Sequence, residues 1–339
     1  MNRIPFIRAG VVHRFVAFLR QVGAPVTRYL GEAGIGAEAL DDPEALVPTV
    51  FTFRFLEICA RRSGIDDLGL RVGATIDPLT LGSFGRKIAG AGTIGRALLT
   101  SIAERPSWHS GERVWMTRQR DVVELNHRYV LPAEEDWGQA VGTNLVAHLN
   151  LLQHTVPGAT PAHVELPVHP SPAFAELPAL AGVPISFDRP RTVIAFHPRT
   201  LAQPLLDGHP GAAPASSATS SPPLPVGLVP SVEAFVASVL GVQQPRIELV
   251  AEAIGMNART LQRRFAEAGV TYGELVSHTR LRLARERLVA SDAKIVEIAL
   301  GLGYTDAAHF TRAFKRWTGI APVAYRAMHA TPDRTRRAS

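Results

Sequence analysis

The chain has 339 residues, 46% hydrophobic and 19% charged, which leaves room for two cores and excludes a disordered or fibrous chain. Its apolar runs break off short of the roughly 20 residues a membrane span needs, and Arg3 and Arg8 precede only a mixed amphipathic stretch, so neither a membrane segment nor a secretory leader is expected. The net charge is +6, and all of it lies after residue 226, where 16 Lys or Arg face 10 Asp or Glu; a localised positive field suits a polyphosphate partner.

Up to Ala74 the chain reads as mostly helical, with Val12, Phe15, Val16 and Leu19 on one face and Phe51, Phe53, Phe55 and Leu56 opening a second apolar helix. Leu79 to Ala103 reads as two short helices broken at Gly90 and Gly92. Arg113 to Arg118 and Val122 to Tyr129 alternate polar and apolar residues, which predicts a hairpin. Helical spacing returns from Trp137 to His154, followed by a strand over His163 to Val168 and a short helix over Ala173 to Leu180. A second hairpin is then expected, with Val183 to Phe187 joined to Thr192 to Phe196 across Pro190. Residues 1–202 thus form an α+β domain. Residues 203–226 lack apolar periodicity and are rich in Pro, Ser, Ala and Gly, the composition of a flexible linker.

Residues 227–328 read as all-α. A helix begins near Pro230, and two copies of one pattern follow. Val250, Ala251, Ile254 and Gly255 recur as Ile298, Ala299, Leu302 and Gly303, an offset of 48; Leu261 and Phe265 recur as Phe310 and Phe314, an offset of 49. The spacings of three and four on either side of each turn give helix, Gly-containing turn, helix: two helix-turn-helix units. Tyr272 to Val289 joins them as one helix of roughly 27 Å, against ~34 Å between successive major-groove faces. Asn257 is placed to cap one second helix, and Thr305 or Asp306 the other. Residues 329–339 are expected to form a basic disordered tail.

Residues 230–326 resemble the DNA-binding domain of the AraC/XylS family of bacterial transcription factors. The likeness rests on LVAEAIGMNARTLQRRFAEAG, on Arg280, Ala284 and Leu288, and on IVEIALGLGYTDAAHFTRAFKRWTGIAPVAYR, in which Gly303, Phe310, Arg312, Phe314, Lys315, Gly319, Pro322, Tyr325 and Arg326 follow the family signature. Ala258 stands where many members have Pro, and Thr311 where many have Ser. The stretch LTLGSFGRKIAGAGTIGRALLTS is similar to the sensor domain of the amino-acid-catabolism regulators of the family. The resemblance implies a cytoplasmic, effector-controlled, dimeric transcription regulator, expected to activate a metabolic operon, with promoter DNA, a small-molecule effector and RNA polymerase as partners and no cofactor.

The faces opposite the apolar stripes supply the candidate contacts. Arg259, Gln262 and Arg263 on the first recognition helix, and Ala308, His309, Thr311 and Arg312 on the second, are expected to meet base edges, because Arg pairs bidentately with guanine and Gln with adenine. Asn257, Arg264, Thr305, Lys315 and Arg316 are expected to meet phosphate. Arg280 is expected to be structural, and Phe265, Phe310, Phe314, Trp317 and Tyr325 to form core. The first unit should therefore set most of the specificity.

The first 202 residues hold no HExxH, no GxSxG and no Gly-rich phosphate loop after a strand, so neither a metal site nor catalysis is expected. The one cysteine, Cys59, excludes an internal disulfide and suits a reducing compartment. A rival class, an enzyme or binding module tethered to DNA, would need Cys59 to be reactive. Polar residues on apolar elements are the candidate effector contacts: Trp108, His109, Asn126, His127, Asn144 and His148.

Overall fold

A computed structural model describes residues 3–131, 137–155, 159–206 and 223–329. The chain divides into two compact units, one built on Pro5–Ala33 with Ala37–Leu224, the other on the chain from Pro225 onward with Gly34–Gly36 and a few N-terminal residues. The first mixes helices with sheet and the second is all-helical.

In the first unit the strands are β1 (Phe6–Arg8), β2 (Leu46–Pro48), β3 (Glu112–Gln119), β4 (Val122–Tyr129), β5 (His163–Glu165), β6 (Ile185–Ser186) and β7 (Thr192–Phe196). The helices are α1 (Gly10–Gln21), α2 (Val26–Ala33), α3 (Thr49–Ser63), α4 (Leu68–Ala74), α5 (Gly82–Ala89), α6 (Ile94–Trp108), α7 (Gly138–Leu149), α8 (Pro172–Ala175) and α9 (Pro198–Leu201). The helix pair broken at Gly90 and Gly92 and the first hairpin are present as expected. Four elements differ from that reading. β1 and β2 pair antiparallel within the stretch expected to be helical; at three residues each they are too short to show a period. α6 continues past Ala103 through Pro106 to Trp108. α7 gives way after Leu149 to a 3-10 turn over Asn150–His154, where Asn150 Nδ2 donates to the Gly73 and Ile76 carbonyls at 3.0 and 2.7 Å.

The fourth difference is the second hairpin, which does not form. The sheet order is β3-β4-β7-β5-β6: β7 lies antiparallel to both β4 and β5, and β6 pairs parallel with β5. All five residues of β7 are buried, so the strand satisfies its backbone groups on both edges in the middle of the sheet rather than against its sequence neighbour.

The sheet and α5–α7 enclose a core around Leu98, Leu125, Leu145, Leu149, Val164 and Ile194. Small residues let α4 lie close against α7: a Cβ at Gly69 would fall on the Gln139 carbonyl, and one at Gly142 would come within 2.9 Å of Leu70. This fixes the face that α7 turns toward β3 and β4. Of the expected linker, Gln203–Leu206 is tied to the first unit through Gln203 and Leu205 backbone bonds to Ile94 and Gly92, and residues 207–222 lie outside the described residues.

The second unit comprises α10 (Leu228–Val239), α11 (Ile247–Ile254), α12 (Ala258–Glu267), α13 (Tyr272–Ala290), α14 (Ile295–Gly301), α15 (Ala307–Thr318) and α16 (Pro322–His329). Gly255 and Gly303 turn the chain at φ +72° and +75°, a conformation that strains any residue with a Cβ. Val250, Ala251, Ile254, Leu261 and Phe265 are buried in the first copy, and Ile298, Ala299, Leu302, Phe310 and Phe314 in the second. Trp317 and Tyr325, expected as core, are half-buried; Tyr325 stands edge-on to Phe314 with ring centroids 5.3 Å apart. α16, which the sequence pattern left unassigned, supplies that ring. The expected basic tail lies outside the described residues from 330 onward.

Candidate nucleic-acid interface and ligand cavity

α12 is started by Asn257, whose Oδ1 accepts from the Thr260 N–H at 2.7 Å. With Leu261 and Phe265 buried on one side, Arg259, Gln262 and Arg263 project into solvent on the other. Arg263 makes only an exposed pair with Glu267, at 3.6 Å. Arg264 is half-buried.

In the second copy the cap is Asp306, not Thr305: its Oδ1 accepts from the His309 N–H at 2.7 Å, and the Thr305 hydroxyl donates to the other oxygen at 3.3 Å. The His309 N–H, Thr305 and Ala308 hold the Asp306 carboxyl below its usual range. Ala308, His309, Arg312, Lys315 and Arg316 are exposed on α15, whereas Thr311 is half-buried and donates its hydroxyl to the Ala307 carbonyl at 2.7 Å. Thr311 therefore offers a methyl rather than a hydroxyl. The offset of 49 aligns Arg259 with Ala308, Gln262 with Thr311 and Arg263 with Arg312, so two of three polar positions in the first copy correspond to apolar contact groups in the second.

Arg280 on α13 is structural, as expected: its Nε donates to the Leu302 carbonyl at 3.2 Å, its Nη2 to Gln244 Oε1 at 3.4 Å, and its guanidinium lies 5.2 Å from the Tyr304 ring centre. It fastens the linking helix to the turn of the second copy. Arg282 pairs with Glu286 at 2.9 Å, and Arg326 donates to the Leu288 and Ala293 carbonyls.

In the first unit a cavity of about 90 Å³ opens between α1, α3, α6, α7 and the strands. Trp108, His109 and Asn144 line it; His148 lines a second void of about 50 Å³. Asn126 and His127 line neither. Asn126 is spent on Thr117, Glu124 and Arg191, its Oδ1 accepting from Arg191 Nε at 2.7 Å.

His127 belongs to a buried cluster that the sequence pattern did not reveal, centred on Glu112. That carboxylate, 1% exposed, lies 2.7 Å from His127 Nε2, 3.2 Å from His109 Nδ1 and 3.3 Å from Arg105 Nε. Burial alone would raise its pKa, but Arg105, His109 and the histidine hydrogen bonds hold it well below the carboxylate range. Arg105 Nη2 donates to His148 Nε2 at 2.6 Å, and His148 Nδ1 donates to the Asn144 carbonyl at 2.7 Å. With one nitrogen accepting and the other donating, the His148 ring is neutral; burial and then Arg105 push its pKa down to about 3. Burial likewise lowers the His127 pKa, against the pull of Glu112, and raises that of Tyr129 well above its ordinary value. The missed residues did carry a signal. Glu112 shares strand parity with the inward Val114 and Met116, and Arg105 lies seven residues after Leu98 on the apolar stripe of α6.

Residues 23–205, more than half the chain, match the family described as the arabinose-binding domain of AraC transcription regulator, N-term. The chain belongs to the AraC family of transcription regulators. Residues 250–328 match a helix-turn-helix domain family, which places α11–α16 in the DNA-binding part of an AraC-type regulator. The chain is similar to the ornithine utilization regulator of Pseudomonas aeruginosa, 38% identical over 24% of each chain, and to the HTH-type transcriptional regulator VqsM of the same organism, 36% identical over 30% of each. These matches span about a quarter to a third of the curated relatives' length. Among solved structures, the transcriptional regulator CdpR from Pseudomonas aeruginosa aligns over 89% of this chain and 96% of its own, at 22% identity and a TM-score of 0.34. No helix among the described residues is long and apolar enough to cross a membrane.

Proposed function

We propose that this AraC-family regulator binds promoter DNA as a homodimer, through α12 and α15, under the control of a small metabolite held in the first unit, and activates a metabolic operon by way of RNA polymerase. Residues 1–202 are the sensing and dimerising part and 227–328 the DNA-binding part. The observation that carries the proposal is the solvent-facing row Arg259, Gln262 and Arg263 on a helix anchored by buried Leu261 and Phe265. These residue types suit direct readout of guanine and adenine, in the part of the chain that holds the whole basic surplus. α15 presents Ala308, His309, Thr311 and Arg312 to a second major-groove segment, across an α13 of 19 residues or roughly 28 Å. Asn257, Arg264, Thr305, Lys315 and Arg316 meet phosphate. The effector acts only through its different affinity for the two arrangements of the dimer. The chain is not an enzyme in this account: Cys59, the one thiol, is buried, and burial raises its pKa, which leaves no ready thiol nucleophile for the rival reading.

Arg263→Ala should relax discrimination at one base position at a cost of ~1–3 kcal/mol, whereas Lys315→Ala should weaken all sequences alike and flatten the salt slope by about one. Fluorescence anisotropy with operator and scrambled duplexes at several salt concentrations distinguishes them. Equal losses on both duplexes for both variants would refute the assignment of the helix faces.

A further inference from the structure

The cavity of the first unit is walled mainly by apolar side chains, Val11, Phe53, Leu56, Ile76, Leu81 and Trp108 among them. Its few polar groups are unequally occupied. Glu112, the one acid on the wall, is already faced by Arg105, His109 and His127. Arg105 Nη2 donates to His148, its Nε lies 3.3 Å from Glu112 in an ion pair without a hydrogen bond, and its Nη1 has no partner among the described residues. Arg14, an exposed residue of α1 that lines the same cavity, has neither an ion pair nor a hydrogen bond among the described residues, and the half-buried side-chain amide of Asn144 on α7 has no partner among them either. Arg14 and Arg105 against the single Glu112 leave one net positive charge in a partly enclosed apolar space, where a fixed charge acts more strongly than in water.

Resting on the assignment of this unit as an effector domain, we propose that the cavity binds a small organic monoanion. Its carboxylate is held by Arg14, by Nη1 of Arg105 and by the Asn144 amide, and its apolar body lies against Phe53, Leu56 and Trp108. A polyol fits this wall poorly, because most of its hydroxyls would lose water without gaining a partner. An amine would meet two cations. At about 90 Å³, and roughly 10–15 Å³ for each water-sized group, the space takes a body of about six to nine non-hydrogen atoms. Benzoate and hexanoate are probes of that size and charge.

The test is calorimetric titration and thermal shift on the full-length protein with benzoate and hexanoate, beside benzyl alcohol, benzylamine and arabinose. The carboxylates should bind and raise the melting temperature, with benzyl alcohol and benzylamine at least about tenfold weaker than benzoate. Arg14→Gln, at an exposed position whose loss leaves the fold intact, should lower carboxylate affinity about tenfold and Arg14→Lys should restore part of it; Asn144→Leu should weaken binding as well. No shift with either carboxylate, equal binding of the amine or of arabinose, or an Arg14→Gln protein that binds as before would overturn the proposal. Operator affinity measured with and without benzoate separates this site from the regulatory role. Tight benzoate binding that leaves DNA binding unchanged would sustain the anion site and refute control of DNA binding through it.

Discussion

The unit that carries Arg105, Glu112, His127 and His148 should lose stability steeply as the pH falls from 7.5 to 5. Both nitrogens of His148 are committed to a neutral ring, one to the Asn144 carbonyl and one to Arg105, and burial with Arg105 puts its pKa at about 3 in place of 6.5. Since the folded pKa lies below the unfolded one, the unfolded chain takes up the proton first. The contribution of the ring is therefore complete above pH 6.5 and is lost as the pH drops toward the folded value. With an unfolded pKa near 6.5, the loss at pH 5 is roughly 2 kcal/mol from His148 alone, and His127, also lowered by burial, adds to it. That is a sizeable part of the ~5–15 kcal/mol by which a domain is stable. Glu112 acts in a separate window: with its pKa held well below 4.5 by Arg105 and His109 in spite of burial, its stabilisation is lost only below about that pH. Urea unfolding read by tryptophan fluorescence reports the right unit, because Trp108, Trp115 and Trp137 lie in it and only Trp317 lies elsewhere. His148→Gln keeps an acceptor for Arg105 and removes the titrating ring, so it should flatten the pH dependence by about 2 kcal/mol. A urea midpoint that stays put between pH 7.5 and 5, or that moves as far in His148→Gln, would refute the argument.

Two substitutions test the second unit. Gly303→Ala places a Cβ 2.9 Å from the Leu240 carbonyl at φ +75° and should cost ~2–4 kcal/mol, whereas Gly269→Ala, at φ +72° with nothing within 4 Å, should cost only the ~1–2 kcal/mol of left-handed backbone. Chemical denaturation of the two variants side by side isolates the clash. Arg280→Ala removes a donor from the Leu302 carbonyl and a cation from the Tyr304 ring; it should lower stability by ~1–3 kcal/mol, and it should weaken DNA binding only in proportion to unfolding, as circular dichroism and anisotropy together can show.

The doubled helix-turn-helix was legible in the chain itself. Helical burial repeats every three to four residues, caps sit next to the helices they start, and the turns of Gly255 and Gly303 need one residue type at one position; each signal is local, so Leu261, Phe265, Phe310 and Phe314 declare their faces without a partner in view. The cap at Asn257 followed from the same reasoning. What the sequence determined, then, is the pair of helix-turn-helix units and the residues that α12 and α15 turn outward. The tertiary structure decided the rest. β7 leaves its sequence neighbour to pair with β4 and β5, because sheet order is set by long-range burial rather than by period. Arg14, Arg105, Glu112, Asn144 and His148 come together from α1, α6, β3 and α7, and a buried charge declares itself only when the groups that neutralise it, far away along the chain, are seen beside it.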